Sequence, residues 1–204
     1  MTDSPTRKGD WKSTFSGVKF WPFDPSPDEV NLADIAHQLS LICRWNGCVT
    51  EFYSVAQHAC MVATLVERIA PNLALAALHH DSAEAYLGDI TRPVKHFLEV
   101  DLQDDEDTPV SFAEMEHRLR DTIFNALGIS ILGSDAAVIV KIADDSALKI
   151  EADHLMPHLQ GQGSFTDNLI PPYWQWQPGW TPQYAESNFL TMHQALKEKQ
   201  CTPT

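Results

Sequence analysis

Residues 73–88 read LALAALHHDSAEAYLG, which sets a His-Asp pair inside a run of alanine and leucine. Asn72 stands where a cap belongs, and the helix expected from it runs through Leu73, Ala76, Ala77, His80 and Leu87 to a stop at Gly88. Burying charge in such a segment is costly unless the charge is paired or holds a metal. Glu84 follows His80 by four residues and Asp81 by three, so one side of a helix can carry all three. His79 would then point elsewhere, because helical neighbours diverge by about 100°.

Working outward, the same punctuation recurs. Ser26-Pro27-Asp28-Glu29 reads as a capping box, opening a helix with an apolar face of Leu32, Ile35, Ala36, Leu39 and Ile42, broken by Gly47. Ser54-Val-Ala-Gln57 opens a second, which buries Val55, Ala59, Val62, Val66 and Ile69 and stops before Pro71. His58 sits at the edge of that stripe. Ser111-x-x-Glu114 starts a helix through Met115, Leu119, Ile123 and Leu127 that closes at Gly128. Ser134 is expected to cap a long helix to about residue 156, and Thr181-Pro182 opens the last, on Ala185, Phe189, Met192 and Leu196. No segment alternates with period two. The expectation is an all-α domain of six or seven helices over residues 15–199. An extended aromatic and proline-rich strap over 15–27 precedes the helices. Flexible residues 1–14 and a tail at 200–204 flank the domain. The acidic run 99–107 reads as a solvated loop. The aromatic loop before the last helix, 173–180, is either a lid on a pocket or a cap on the core.

Composition narrows the function. The chain has 204 residues, 44% hydrophobic, which is enough for one buried core. With 28 acidic and 14 basic residues the net charge is −14. That balance disfavours a nucleic acid polymer as partner. An anionic ligand would need local positive charge to overcome the global field. No apolar run reaches the roughly 18 residues of a membrane helix, and the first residues lack the apolar stretch of a secretion signal. The four cysteines, Cys43, Cys48, Cys60 and Cys201, are too few and irregular for a disulfide scaffold. The expected setting is therefore cytoplasmic, with reduced thiols. Cys43-x4-Cys48 has no second Cys/His pair at zinc-finger spacing.

In the long helix, Lys141, Asp144, Leu148 and Glu151 follow 3/4 spacing, so Lys141 and Asp144 share a face. His58, His80, Asp81 and Asp144 together offer two imidazoles and two carboxylates from three helices. Mixed nitrogen and oxygen donors of this kind suit a divalent transition metal with positions open to water and substrate.

The ordered pattern His58 … His80-Asp81 … Asp144 resembles the HD-domain metal-dependent phosphohydrolases, an all-α superfamily named for its His-Asp pair. The segments that carry the resemblance are DIAHQLSLICRWNG, YSVAQHA, LHHDSAEAYLGDITRPVK and KIADDSALKIEADHLMP, within residues 17–196. The chain looks most like the small phage and bacterial branches acting as 5′-deoxynucleotidases and deoxynucleoside-triphosphate triphosphohydrolases. The match selects His80 over His79 as ligand and Asp144 over Asp145. Gln57 stands where these proteins often have Glu. Ala85 after Glu84 departs from the Glu-Asp of the alarmone hydrolases, and the Gly-Tyr-Pro signature of the cyclic-dinucleotide phosphodiesterases is absent.

The resemblance implies a divalent cofactor (Co²⁺, Mn²⁺, Zn²⁺ or Mg²⁺) on His58, His80, Asp81 and Asp144, with Glu84 as general acid/base. Asp89 is expected to orient Lys95 or to bind sugar or metal. Arg44, Lys95 and Lys141 form the expected phosphate clamp, and Trp45 either stacks on a base or packs in the core. The implied activity is hydrolysis of a deoxynucleotide at its 5′ phosphoester. Three clamp residues favour a triphosphate, with dATP the first base to try because phage relatives deplete it. The alternatives are a 5′-deoxynucleotidase acting on monophosphates and, from another class, a non-hydrolytic nucleotide sensor or scaffold. Similar proteins assemble, so a homo-oligomer is expected. If the chain is phage-encoded, it would work in the host cytoplasm.

Overall fold

The computed structural model describes residues 7–101, 109–159 and 176–201. The fold is all-α. Among the described residues it has eight α-helices and two small two-stranded antiparallel sheets. The helices are α1 (Leu32–Leu41), α2 (Val55–Ile69), α3 (Ala74–Leu78), α4 (Glu84–Leu87), α5 (Arg92–Lys95), α6 (Phe112–Leu127), α7 (Ser134–Leu155) and α8 (Pro182–Cys201). The strands are β1 (Lys12–Ser13) with β2 (Lys19–Phe20), and β3 (Glu99–Val100) with β4 (Val110–Ser111). None of the described helices is long and apolar enough to cross a membrane.

Several helix starts lie where the capping residues place them. Ser54 Oγ accepts from the Gln57 amide at 3.1 Å, Ser111 Oγ from the Glu114 amide at 3.2 Å, and Thr181 Oγ1 from the Tyr184 amide at 3.3 Å. Each satisfies a donor that the first turn leaves unpaired. Gly128 closes α6 in the left-handed region at φ +61°. Two starts differ from expectation. Ser26 makes no side-chain cap and opens only a 3-10 turn at Pro27–Glu29; Asn31 caps α1 instead, accepting from the Ala33 amide. Gly133, not Ser134, is the cap of α7.

Helix α2 runs through the middle of the molecule. From Val55 to Val66 only Thr64 is not buried, and its two sides feed two cores. One core joins α1, α3, α4, α6 and α8 through residues such as Ile35, Leu39, Ala59, Leu75, Leu119 and Phe189. The other joins α2 to α7 through Met61, Leu65, Val140, Ala143 and Ala147. A helix buried all round must satisfy each polar side chain it carries from within the protein. His58 and Gln57 are the buried polar residues of that stretch, and both are satisfied by other elements.

The helix expected over 72–88 is broken. It is a 3-10 turn at Pro71–Leu73, then α3, then a segment at 79–83, then α4. In the break the amides of Ser82, Glu84 and Ala85 bond to carbonyls three residues back. Three-residue bonding places Asp81 and Glu84 nearly above one another, closer than α-helical winding would. This division and the extra helix α5 account for eight helices where six or seven were expected.

Residues 7–14, expected to be loose, are tied down. Arg7 donates to Asp24 and Glu29, and β1 pairs with β2. Of the acidic run, Glu99 and Val100 pair with Ser111 and Val110, and residues 102–107 lie outside the described residues. So do residues 173–175 of the aromatic loop. Its described part caps the core: Trp176 stacks on His154 and Tyr53, and the Gln57 side chain donates to the Pro178 carbonyl and accepts from the Trp180 amide.

Candidate metal centre

Three elements bring the predicted ligands to one point: α2 carries His58, the turn between α3 and α4 carries His80 and Asp81, and α7 carries Asp144. His58 Nε2 lies 3.3 Å from His80 Nε2, 3.6 Å from Asp81 Oδ2 and 3.2 Å from Asp144 Oδ1. His80 Nε2 lies 3.1 Å from Asp81 Oδ2 and 3.9 Å from Asp144 Oδ1. Donors bound to one ion at about 2.0–2.2 Å stand roughly 3–3.5 Å apart when adjacent. His58, His80 and Asp81 form the compact candidate triad, and Asp144 joins from α7.

The tautomers make the case chemically. His80 Nδ1 donates to the Ala77 carbonyl at 2.8 Å, and His58 Nδ1 donates to Glu151 Oε1 at 2.6 Å. Both outer nitrogens are therefore N–H, and both Nε2 atoms turn lone pairs inward. Two lone pairs and two carboxylates converging in a buried space repel one another unless a cation joins them. Without an ion, protons take that part. Burial acts to lower His80, but Asp81 and Asp144 outweigh it and raise its pKa to about 10. Burial likewise opposes ionisation of Asp81 and Asp144, yet the two imidazoles hold both below the usual carboxylate range. The donor set fits a metal ion.

His79 and Asp145, the neighbours of His80 and Asp144, have partners of their own. His79 turns away, fully buried, its Nδ1 2.8 Å from Ser82 Oγ and its Nε2 2.8 Å from His193 Nδ1 on α8. Asp145 pairs with Lys141 at 2.5 Å and with Arg92 at 3.5 Å.

Glu151 is the residue the sequence reading did not assign to the site. It is fully buried one heptad beyond Asp144 and holds three groups at once. Besides His58, Arg44 Nε donates to its Oε2 at 3.0 Å and Trp45 Nε1 donates to the same oxygen at 3.1 Å. Burial would raise its pKa, but Arg44 and His58 hold it below the ordinary 4.5. The signal was the 3/4 spacing of α7, which placed Glu151 on the Asp144 face. Arg44 also approaches Asp81, with Nη1 3.7 Å from Oδ2. It gets there through a turn in which Trp45 (φ +57°) and Asn46 (φ +51°) are left-handed. Side chains rarely adopt that region, and it costs about 1–3 kcal/mol where surrounding contacts enforce it.

Two cavities meet at the ligands, both lined by Asp81, Glu84 and Asp144. The wider, about 510 Å³, adds Arg44, Trp45, Asp89, Ile90, Lys95 and Met156, among others. The smaller, about 190 Å³, adds His117, Arg120 and Lys141. The expected three-residue clamp is thus divided, with Arg44 and Lys95 on one side and Lys141 on the other. Each is also already paired: Lys95 with Glu116 at 2.6 Å, and Lys141 with Asp144 at 2.9 Å as well as with Asp145. Glu84 is 5% exposed and its Oε2 has no hydrogen-bond partner. Burial first, then Asp81 and Asp89, push its pKa well above the ordinary 4.5, against Arg44 and Lys95. Burial also raises Asp89, with Arg44 opposing.

No family model matches the chain. It is 32% identical over 152 residues to an uncharacterized protein of Rhodobacter capsulatus, covering 71% of this chain and 72% of that protein. It is 45% identical over 85 residues to the uncharacterized protein YfdR of Escherichia coli K12, covering 42% of this chain and 46% of that one. The chain belongs to the family of the Rhodobacter protein.

Proposed function

We propose that this protein is a metal-dependent phosphohydrolase of the HD-domain kind, cleaving deoxynucleotides at the 5′ phosphoester. The observation that carries the proposal is the convergence of two Nε2 lone pairs and two carboxylates beside a buried, unpartnered carboxyl, Glu84 Oε2. His58, His80, Asp81 and Asp144 would hold the ion, with Co²⁺, Mn²⁺, Zn²⁺ and Mg²⁺ the candidates. When bound, it would polarise a phosphoryl oxygen and lower the pKa of water.

The chain's own residues supply the rest. Glu151 fixes the His58 tautomer and anchors Arg44, so ring and guanidinium are preorganised together. Glu84, whose burial and neighbouring Asp81 and Asp89 push its pKa well above the ordinary 4.5, carries the proton that O5′ needs on leaving. In the balanced reaction, the oxygen of a water bonds to the α-phosphorus and the P–O5′ bond breaks. O5′ takes the Glu84 proton, and the proton lost by the water restores Glu84. Asp89 borders the wider cavity, where it can hold the sugar or orient Lys95, and Trp45 presents an aromatic face near it.

Within this reading a triphosphate is the first substrate to try, dATP before others, giving deoxynucleoside and tripolyphosphate. The pairing of Arg44, Lys95 and Lys141 with acids favours the second reading, a 5′-deoxynucleotidase, since fewer cations are free for a long phosphate chain. Incubation with Co²⁺ or Mn²⁺ and each dNTP and dNMP separates them. Tripolyphosphate from a dNTP supports the first, and orthophosphate from dNMPs alone supports the second. No release from any nucleotide with any metal would overturn the hydrolase and leave a nucleotide sensor or scaffold. The homo-oligomer implied by the resemblance is tested by light scattering.

A further inference from the structure

The turn that carries His80 and Asp81 is gripped from behind by α8. Among the described residues, none of α8 lines either cavity. Helix α8 reaches the turn through His79, the residue beside the candidate ligand His80. His79 Nε2 lies 2.8 Å from His193 Nδ1 on α8, and His79 Nδ1 lies 2.8 Å from Ser82 Oγ. Phe189, one helical turn before His193, sets its ring edge-on to the same imidazole, with centres 5.2 Å apart. His79 and Ser82 are fully buried, and His193 is 7% exposed. A buried imidazole has to satisfy both nitrogens within the protein. His79 uses one nitrogen inside its own turn and the other on α8.

Within the turn the Ser82 amide donates to the His79 carbonyl at 3.1 Å, and the Glu84 amide to the Asp81 carbonyl at 3.0 Å. Three-residue bonding has poorer geometry than α-helical bonding, so the backbone of the turn fixes its own orientation less firmly. His79 points toward α8. His80, the next residue, points toward α2, where its Nε2 is 3.3 Å from His58 Nε2 and 3.1 Å from Asp81 Oδ2. If the turn rolled, His80 and Asp81 would move together away from His58 and Asp144. Donors that act as a set have to be held to within about 0.5 Å. We propose that His193 is a positioning residue for the candidate metal centre: its bond to His79 fixes the roll of the 79–83 turn and so aims the His80 and Asp81 donors at the point they share with His58. The proposal rests on the metal-centre reading for what the turn presents. The hold of His193 on the turn is independent of that reading and is measured without metal.

Two substitutions at His193 separate a positioning bond from packing. Asn carries a carboxamide atom where the imidazole has Nδ1, and it can donate or accept there. Gln carries its carboxamide one bond further out and misses His79. Gln is nevertheless the better helix former. A residue that merely fills the face of α8 would rank Gln at or above Asn, whereas a positioning bond ranks Asn above Gln. The measurements are calorimetric Mn²⁺ titration of the full chain, the visible absorption spectrum with Co²⁺, and hydrogen exchange of amides 80–85 in the metal-free chain. His193→Gln should weaken Mn²⁺ binding about tenfold, change the Co²⁺ spectrum and speed exchange at 80–85. His193→Asn should stay within about twofold of the wild type and keep its spectrum and exchange. Wild-type Mn²⁺ affinity in His193→Gln, or a loss in His193→Asn as large as in His193→Gln, would overturn the inference and leave the metal centre standing. If His193→Gln does not fold, His193→Asn decides alone: near-wild-type affinity upholds the inference and a tenfold loss overturns it. Faster exchange in His193→Gln but not in His193→Asn, with no Mn²⁺ bound by the wild type, would uphold the hold on the turn and overturn the metal reading.

Discussion

Replacing Glu151 by Gln keeps the shape of the side chain and removes its charge. Three donors converge on that carboxylate: Arg44 Nε at 3.0 Å, Trp45 Nε1 at 3.1 Å and His58 Nδ1 at 2.6 Å. A carboxamide can accept with only one of its two terminal atoms, so its NH₂ must face either His58 or the Arg44–Trp45 pair. Arg44 is left buried with only the 3.7 Å approach to Asp81 to balance it. Breaking one side of a buried ion pair costs about 3–5 kcal/mol. Taking about 3 kcal/mol for the isosteric change, a domain of this size should melt roughly 6–12 °C lower. The His58 tautomer loses its support as well, and loss of such an outer partner weakens metal binding by about 10–100-fold. Calorimetric melting and Mn²⁺ titration of the two proteins measure both effects. A variant that melts within about 2 °C of the wild type and binds Mn²⁺ equally well would refute the placing of Glu151 at the centre of this network.

Other outcomes follow from the same contacts. Glu84→Gln should bind metal normally but release product about 10²–10⁴-fold more slowly; unchanged release would remove Glu84 from the chemistry. Because the Glu151 pKa is lower in the folded chain than its ordinary 4.5, its stabilisation is present above that value and is lost as pH falls through the lower one. Melting temperatures should therefore drop below about pH 4.5, and in Glu151→Gln that part of the acid limb should be missing. A methyl group at Gly179 would collide with the Phe52 carbonyl, a backbone atom that cannot swing aside. Gly179→Ala is expected to destabilise by about 1–3 kcal/mol and to change the fluorescence of Trp176, and an unchanged melt would show that the 176–180 segment yields freely.

The helices that begin with a capping serine or threonine were legible because a cap is a local device: Ser54, Ser111 and Thr181 act on amides two or three residues away. The candidate ligands were legible because charge in an apolar run demands a partner, and His58, His80, Asp81 and Asp144 supply one another's. The break at 79–83 was not legible. Its residues are compatible with a helix, and the bend goes with contacts to distant elements that sequence does not show, His79 with His193 on α8 and His80 with His58 on α2. The left-handed turn at Trp45 and Asn46 was hidden for the same reason: Asn accepts that conformation readily, but Trp45 rarely adopts it and is held there by its bond to Glu151. The division of the clamp between two cavities was not legible, because sequence does not show that Lys95 meets Glu116 on α6. Lys141 stands three and four residues from Asp144 and Asp145, a spacing that already predicts ion pairs within α7.

Metal stoichiometry tests the central claim most directly. Mn²⁺ or Co²⁺ titrated into metal-free protein should bind at one ion per chain and displace protons from the imidazoles, and Asp81→Ala or His80→Ala should abolish that binding. Retention of one tightly bound ion by both variants, or no saturable binding by the wild type, would contradict it.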